Sequence, residues 1–152
     1  MKRRWPLGVL VLMILLLAGC PAPGVGGGGP GPGHTFAEAN NTLAAVTQGI
    51  SMAVLSTNPS DPAWNTFDGV SLYTYHFTNY VSSTGITING TVTFDAVTHI
   101  QNGTVTASGG SVKQVKYVNV TDIPSMGGYN ETTFTDNSVW KLDYATGTFT
   151  EM

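Results

Sequence analysis

Residues 86–107 read ITINGTVTFDAVTHIQNGTVTA and carry the clearest strand and turn signals in the chain. β-Branched and aromatic residues alternate with polar ones in short runs, as they do in strands that bury one face. Two Asn-Gly dipeptides, at 89–90 and 102–103, predict tight hairpin turns because both central residues of a type I′ turn need positive φ. The stretch therefore predicts short antiparallel strands at 86–88, 91–94, 99–101 and 104–107.

Strand and turn signals of the same kind continue on both sides of this stretch. They predict strands at 71–81 and 112–120, a turn at 108–110, a loop at 123–128, and a last hairpin of 131–135 and 138–144 around 136–137. Short strands joined in sequence order pair antiparallel, since parallel pairing needs long crossover connections. We therefore expect an antiparallel β-meander of five to seven strands.

An amphipathic helix precedes the strands. Thr35 and Glu38 have the spacing of a capping box, in which two side chains satisfy free backbone amides at a helix start. Apolar residues then recur at steps of three and four and form one face: Phe36, Ala39, Leu43, Val46, Ile50, Ala53 and Val54. Turn residues at 57–62 end the helix by Ser56. The expected fold class is α+β, with one N-terminal amphipathic helix packed on the meander, in a single domain of residues 34–152.

The first twenty residues have the parts of a secretory signal. Residues 2–4 are basic, residues 7–17 are apolar, and two small residues precede Cys20. The apolar run is shorter than the roughly 20 residues that a membrane-spanning helix needs. Leu17-Ala18-Gly19-Cys20 resembles the lipobox of bacterial lipoproteins. In that family the matching cysteine receives a diacylglyceryl group on sulfur, and the signal is cut off before it.

The lipobox resemblance implies a signal peptide at residues 1–19 and lipidation of Cys20, with the membrane as the first expected partner. The new amino terminus is usually acylated too, and two or three acyl chains attach a protein stably where one does not. Pro at position 21, where the family's retention signal is Asp, favours the outer membrane in bacteria that have two. Residues 20–33 combine this cysteine with a Gly/Pro tether, whose 13 residues from position 21 span roughly 20 Å.

Composition argues against nucleic-acid binding and against an internal disulfide. Only 10% of the residues are charged, and the formal net charge is −3. Beyond the basic start, three lysines stand against nine acidic residues, so the body lacks the clustered Lys and Arg that nucleic-acid binding needs. The single cysteine permits no disulfide within the chain, so the core alone must hold the domain together.

The usual signs of catalysis and metal binding are missing from the sequence. His34, His76 and His99 have no ligand-pair spacing, whereas a zinc site needs three or four ligands. No Gly-x-Ser-x-Gly nucleophile motif occurs, and the carboxylates fall mostly in turn contexts rather than as a catalytic pair. We therefore expect no enzyme activity, no metal and no cofactor.

Two aromatic rows are the remaining candidates for a site. Tyr73, Tyr75 and Phe77 share one face of a predicted strand, and Trp140, Leu142 and Tyr144 share one face of a later strand. Large rings bury the most apolar area, so these rows form either the core under the helix or a surface for a ligand or partner. The candidate surface residues are Tyr73, Tyr75, Trp140 and Tyr144.

Two functional hypotheses follow from the anchor and the expected fold. The pattern of Asn-Gly-Thr sequences and β-branched residues in 73–120 resembles that of small β-rich envelope lipoproteins. This resemblance implies no activity. The first hypothesis is a membrane-anchored lipoprotein of the bacterial cell envelope, a non-enzymatic interaction or structural module that contacts an envelope protein through a sheet edge or exposed face. The alternative is a carrier or binder of an apolar ligand, such as lipid, in a groove between sheet and helix. A carrier needs an unfilled apolar cavity, and an interaction module needs an exposed apolar patch.

Overall fold

The structure is a computed structural model that describes residues 33–122 and 125–152. The predicted signal peptide, the lipidation site Cys20 and all but the last residue of the predicted tether lie outside the described residues. The first two residues of the predicted loop at 123–128 also lie outside them. Among the described segments, no helix has the length and apolar character needed to span a membrane.

One helix and eight strands make up the described chain. They are α1 (Phe36–Val54), β1 (Ala63–Phe67), β2 (Leu72–Val81), β3 (Thr87–Asp95), β4 (Ile100–Ser108), β5 (Val112–Thr121), β6 (Gly127–Phe134), β7 (Val139–Asp143) and β8 (Thr148–Glu151). The strands form one antiparallel sheet in which every strand pairs with the next along the chain. Within the described residues, the α+β class, the one helix that precedes the strands and the antiparallel meander are confirmed.

The predicted count of five to seven strands is wrong, because the sheet has eight. The short edge strands β1 and β8 were not predicted, and the four short strands predicted between 86 and 107 are the two longer strands β3 and β4. β1 has five residues and begins directly after the turn residues at 57–62, and β8 has four residues. Runs of five and four residues lie at the lower end of the four to eight residues over which alternation indicates a strand, so they give a weak signal. Pairing with β2 and β7 holds the two segments extended.

The two Asn-Gly pairs lie inside strands, so the predicted hairpin turns at 89–90 and 102–103 are wrong. Gly90 lies in β3 and Gly103 in β4, with φ of 126° and 149°. A Cβ on Gly90 would lie 2.4 Å from the carbonyl oxygen of Thr104, and one on Gly103 would lie 2.3 Å from that of Thr91. Glycine is needed here for close approach of two backbones, which is its other common role in a strand.

The asparagine before each glycine holds a bulge in a neighbouring strand, β2 for Asn89 and β5 for Asn102. Asn89 Oδ1 accepts a hydrogen bond from the backbone N–H of Asn79 at 2.7 Å, and Asn102 Oδ1 accepts one from that of Asn119 at 2.8 Å. Asn79 and Asn119 have φ of 52° and 49°, and the pairing register shifts beside both. Bulges and glycine kinks bend sheets. The repeated sequence NGTVT is therefore expected to bend strands β2–β5, with one Asn-Gly pair in each of β3 and β4 and one bulge in each of β2 and β5.

The helix packs on one face of the sheet, which we call the inner face. The capping box is present: the Thr35 hydroxyl accepts from the Glu38 N–H at 3.3 Å, and Glu38 Oε2 accepts from the Thr35 N–H at 2.7 Å. Five residues of the predicted apolar stripe are buried, and Phe36 and Val54 at its two ends are half-buried. The helix contacts β1, β2, β3 and β5, and Gly49 lies where a Cβ would touch Phe77 and Ile88. Burial of this stripe supplies most of the stability of such a helix.

Both ends of α1 are fastened to the sheet. Near its start, His34 Nε2 lies 3.0 Å from Asp136 Oδ2, and the His34 ring stacks on Phe134 at 3.6 Å between centroids. Near its end, the buried side-chain amide of Asn65 donates to the carbonyl oxygens of Ala53 and Ser56 at 2.6 and 2.8 Å. The helix therefore runs across the strands from the β6–β7 turn to β1.

Candidate functional site

The four candidate aromatic residues fall on two strands at opposite sides of the sheet. Tyr73 and Tyr75 lie on the inner face of β2, while Trp140 lies on β7 and Tyr144 directly follows it. Tyr75 is 1% exposed, and its burial raises the pKa of its hydroxyl well above the usual value. Tyr73 is half-buried and stacks on Phe67 at 4.5 Å. Their assignment to a ligand or partner surface stays a prediction.

Trp140 and Tyr144 lie beside the most polar part of the core. Trp140 stacks on Phe149 of β8 at 5.0 Å between ring centroids, and Phe149 meets Phe36 of the helix edge-on at 5.9 Å. The Tyr144 hydroxyl accepts a hydrogen bond from the Asn130 side-chain amide at 2.8 Å. These contacts bring residues of α1, β6, β7 and β8 together.

Three buried polar atoms at this place have no hydrogen-bond partner among the described residues: Asn130 Oδ1, Thr132 Oγ1 and Trp140 Nε1. Asn130 and Thr132 are both 0% exposed and lie two residues apart on the inner face of β6. Thr132 pairs with Trp140 across β6 and β7, and Tyr117, whose hydroxyl pKa is raised by burial, pairs with Asn130. An unsatisfied buried polar group costs about 1–3 kcal/mol. We call these three residues, Asn130, Thr132 and Trp140, the polar cluster.

Trp140 was predicted from the sequence as a candidate site residue, but Asn130 and Thr132 were not. Asn130 and Thr132 occupy alternate positions of a strand, where the residues that face a core are normally apolar. That alternation was the only signal in the sequence. This signal did not predict the burial of Asn130 and Thr132, because the residues that bury them lie on other strands.

A second feature is the end of the sheet where four turns gather. In a meander, alternate turns lie at the same end, so the turns at 68–71, 96–99 and 144–147 lie at one end of the sheet together with the described residues 122, 125 and 126 between β5 and β6. We call this end the turn rim. Apolar side chains are exposed there: Val70 is 83% and Val97 76% exposed, and Leu72 and Met126 are also exposed. The site where His34 meets Asp136 is in a turn at the opposite end.

Aspartates hold the turns of this rim. Asp68 Oδ1 accepts backbone hydrogen bonds from Val70, Ser71 and Leu72 at 2.8–3.0 Å, and Asp95 Oδ1 accepts them from Val97 and Thr98 at 2.8 and 3.0 Å. These backbone hydrogen bonds lower the pKa of both carboxyls, so both are ionised at neutral pH. The Ser71 hydroxyl donates to Asp95 Oδ2 at 3.3 Å and joins the two turns. The exposed valines are therefore held by fixed, charged turns.

The three histidines lie apart and each has a structural neighbour. His34 is close to Asp136, and His76 stacks on Trp64 at 4.0 Å on the outer face. His99 Nδ1 lies 3.8 Å from Asp122 Oδ1 in the turn rim. Within residues 33–122 and 125–152, no three His, Cys, Asp or Glu side chains are grouped so that they could hold a metal ion.

Comparison with known proteins supplies no functional assignment. No protein family, curated protein or solved structure matches this chain. The functional argument therefore depends on the residues themselves.

Proposed function

We propose that the protein is a lipid-anchored lipoprotein of the bacterial cell envelope that acts as a non-enzymatic interaction module. In this proposal, Cys20 carries the lipid and the tether up to residue 33 joins it to the folded domain. The turn rim then contacts another envelope protein. Outer-membrane attachment is the expectation for a bacterium with two membranes.

The exposed apolar side chains of the turn rim carry the proposal. Isolated exposed apolar residues are normal on protein surfaces, but a group of them on fixed turns indicates a contact surface. Val70 and Val97 lie on turns that are joined by the Ser71–Asp95 hydrogen bond, so the two valines share one end of the sheet. The described chain meets the tether at the other end of the sheet, which leaves the rim free to reach a partner.

The carrier hypothesis has less support from the geometry. The middle of the inner face holds side chains of the chain itself, and three of them, Ile88, Val92 and Val105, are 0% exposed beneath or beside the helix. An apolar ligand in that place would have to displace them. The polar cluster is unsuited to the hydrocarbon part of a lipid, since buried polar groups need hydrogen-bond partners.

Fractionation of cells that produce the Cys20→Ser variant tests the anchor. Lipid on Cys20 predicts that the wild-type chain sediments with membranes and that the variant does not. A Cys20→Ser protein that stays in the membrane fraction, after washing with high salt to remove peripheral contacts, would contradict the lipid anchor.

Photo-crosslinking in intact cells tests the turn rim. A photoreactive amino acid at Val70 or Val97 should capture the same envelope protein, while one at Thr104, exposed in the middle of β4, should not. A further probe at Met126 should lose the product when Val70→Ser and Val97→Ser are combined. Equal capture from Thr104, or an unchanged yield in the double variant, would contradict the proposed contact surface.

A further inference from the structure

We propose that the polar cluster binds a small uncharged molecule that both donates and accepts hydrogen bonds, either solvent water or a hydroxyl-bearing ligand. The chemistry of its three atoms defines this class. Asn130 Oδ1 can only accept a hydrogen bond, Trp140 Nε1–H can only donate one, and the Thr132 hydroxyl can do either. A bound molecule must therefore offer both a donor and an acceptor.

The positions of the three residues suit one such molecule or a short chain of two. Asn130 and Thr132 point to the same side of β6 about 7 Å apart, because alternate residues of a strand share a face at about 3.4 Å per residue. Trp140 lies directly opposite Thr132, where facing Cβ atoms are about 5 Å apart. Buried waters typically make about three hydrogen bonds to such groups.

The three polar atoms are buried, and a series of aromatic rings lies beside the polar cluster. Trp140, Phe149 and Phe36 form a continuous series of ring contacts that joins β7, β8 and the first residue of α1. Opening this series needs movement of the helix start or of the short edge strand β8. Exchange of the bound molecule is therefore expected to be slower than exchange at the protein surface.

The lysines and the glutamate on the strands of the polar cluster lie on the other face of the sheet. Lys116, Glu131 and Lys141 are paired in register across β5, β6 and β7 at positions that alternate with the polar cluster, so they lie on the outer face. Lys116 Nζ is 3.1 Å from Glu131 Oε2 on that face. An ion in the polar cluster would lack a counter-charge from these side chains, and burial of an unpaired charge is strongly unfavourable.

Substitution of Thr132 tests the site through the sign of a stability change. Thr132→Val keeps the shape of the side chain and removes the hydroxyl; Thr104→Val, made on the exposed outer face, is the matched control. We would measure urea unfolding of the full-length protein in detergent. A bound molecule on the hydroxyl predicts that Thr132→Val raises the unfolding equilibrium constant about fivefold or more relative to the control. An unchanged or smaller constant would mean that the hydroxyl has no partner and would overturn the proposal.

Nuclear magnetic resonance of the Trp140 indole N–H distinguishes the two sources of the molecule. The signal is assigned by its loss in Trp140→Phe. A cross-peak from this N–H to the water frequency identifies a long-lived water, and cross-peaks to carbon-bound protons that belong to no residue identify a hydroxyl-bearing ligand. An indole N–H with neither cross-peak overturns the proposal. Neither experiment depends on the lipid anchor or the turn rim, so their outcome is independent of the proposed function.

Discussion

Replacement of Gly103 by alanine should destabilise the protein far more than replacement of a glycine in an open turn. Two effects add at Gly103. Its φ of 149° disfavours any residue with a Cβ, by about 1–2 kcal/mol. The added Cβ would also lie 2.3 Å from the Thr91 carbonyl oxygen, more than 1 Å inside ordinary contact, so β3 and β4 must separate. Loss of two neighbouring ladder hydrogen bonds costs about 2 kcal/mol more. The expected total is about 3–4 kcal/mol.

Gly69 is the matched control for this prediction. Its φ is 91°, also in the region that favours glycine, but a Cβ there would meet no atom within 4 Å. Gly69→Ala should therefore cost only the conformational part, about 1–2 kcal/mol. Urea denaturation of both variants, followed by circular dichroism, gives the two free energies of unfolding. If Gly103→Ala lost no more stability than Gly69→Ala, the close approach of β3 and β4 would be refuted.

Three further substitutions test how the helix is fastened. Thr35→Ala removes the capping box and should lower the free energy of unfolding by about 1 kcal/mol, whereas Thr35→Ser should largely preserve it. Asn65→Ala removes the two side-chain hydrogen bonds to the carbonyl oxygens of Ala53 and Ser56 at the helix end and should lower the free energy of unfolding by about 2 kcal/mol. An unchanged free energy in urea denaturation would contradict the role of Asn65 in holding the helix end. Hydrogen bonds from Ser138, with the contact to His34, lower the Asp136 pKa to about 2. A carboxyl whose pKa is depressed in the folded state stabilises the fold above its unfolded pKa, and this stability is lost as the pH falls from about 4 to about 2. Asp136→Asn lacks this contribution, so its free energy of unfolding should fall less than that of the wild type over this pH range. Identical acid-unfolding curves would refute this.

The helix and the meander could be predicted because their signals are local. The capping box needs only Thr35 and Glu38, and the apolar stripe repeats at the period of a helix over nineteen residues. Both ends of α1 were placed correctly for the same reason. Antiparallel order followed from short connections alone, without knowledge of which residues pair.

The Asn-Gly pairs mark where local reasoning failed. Asn-Gly favours a hairpin turn because both residues accept positive φ, but the same dipeptide also suits a bulge contact beside a close strand approach. Whether the dipeptide forms a turn or a bulge contact depends on Asn79 and Asn119, which lie on neighbouring strands and donate their backbone N–H groups to the two asparagine side chains. Nothing adjacent in the sequence distinguishes the two uses. Repetition of NGTVT in both strands was the available hint, since a pair of identical kinks bends a sheet evenly.

The candidate sites depend on long-range contacts in the same way. The placement of Val70 and Val97 at the same end of the sheet follows from the alternation of turns in a meander, so the turn rim could have been predicted once the strands were correctly joined. The polar cluster could not, because Asn130 and Thr132 become a site only when β7 brings Trp140 beside them and the rings of β8 and α1 pack in series next to Trp140. A polar residue at a core position of a strand is the observable sign of such a place. An unpartnered buried polar group opposes folding, so the presence of three such groups in the polar cluster argues for a bound partner rather than for packing alone.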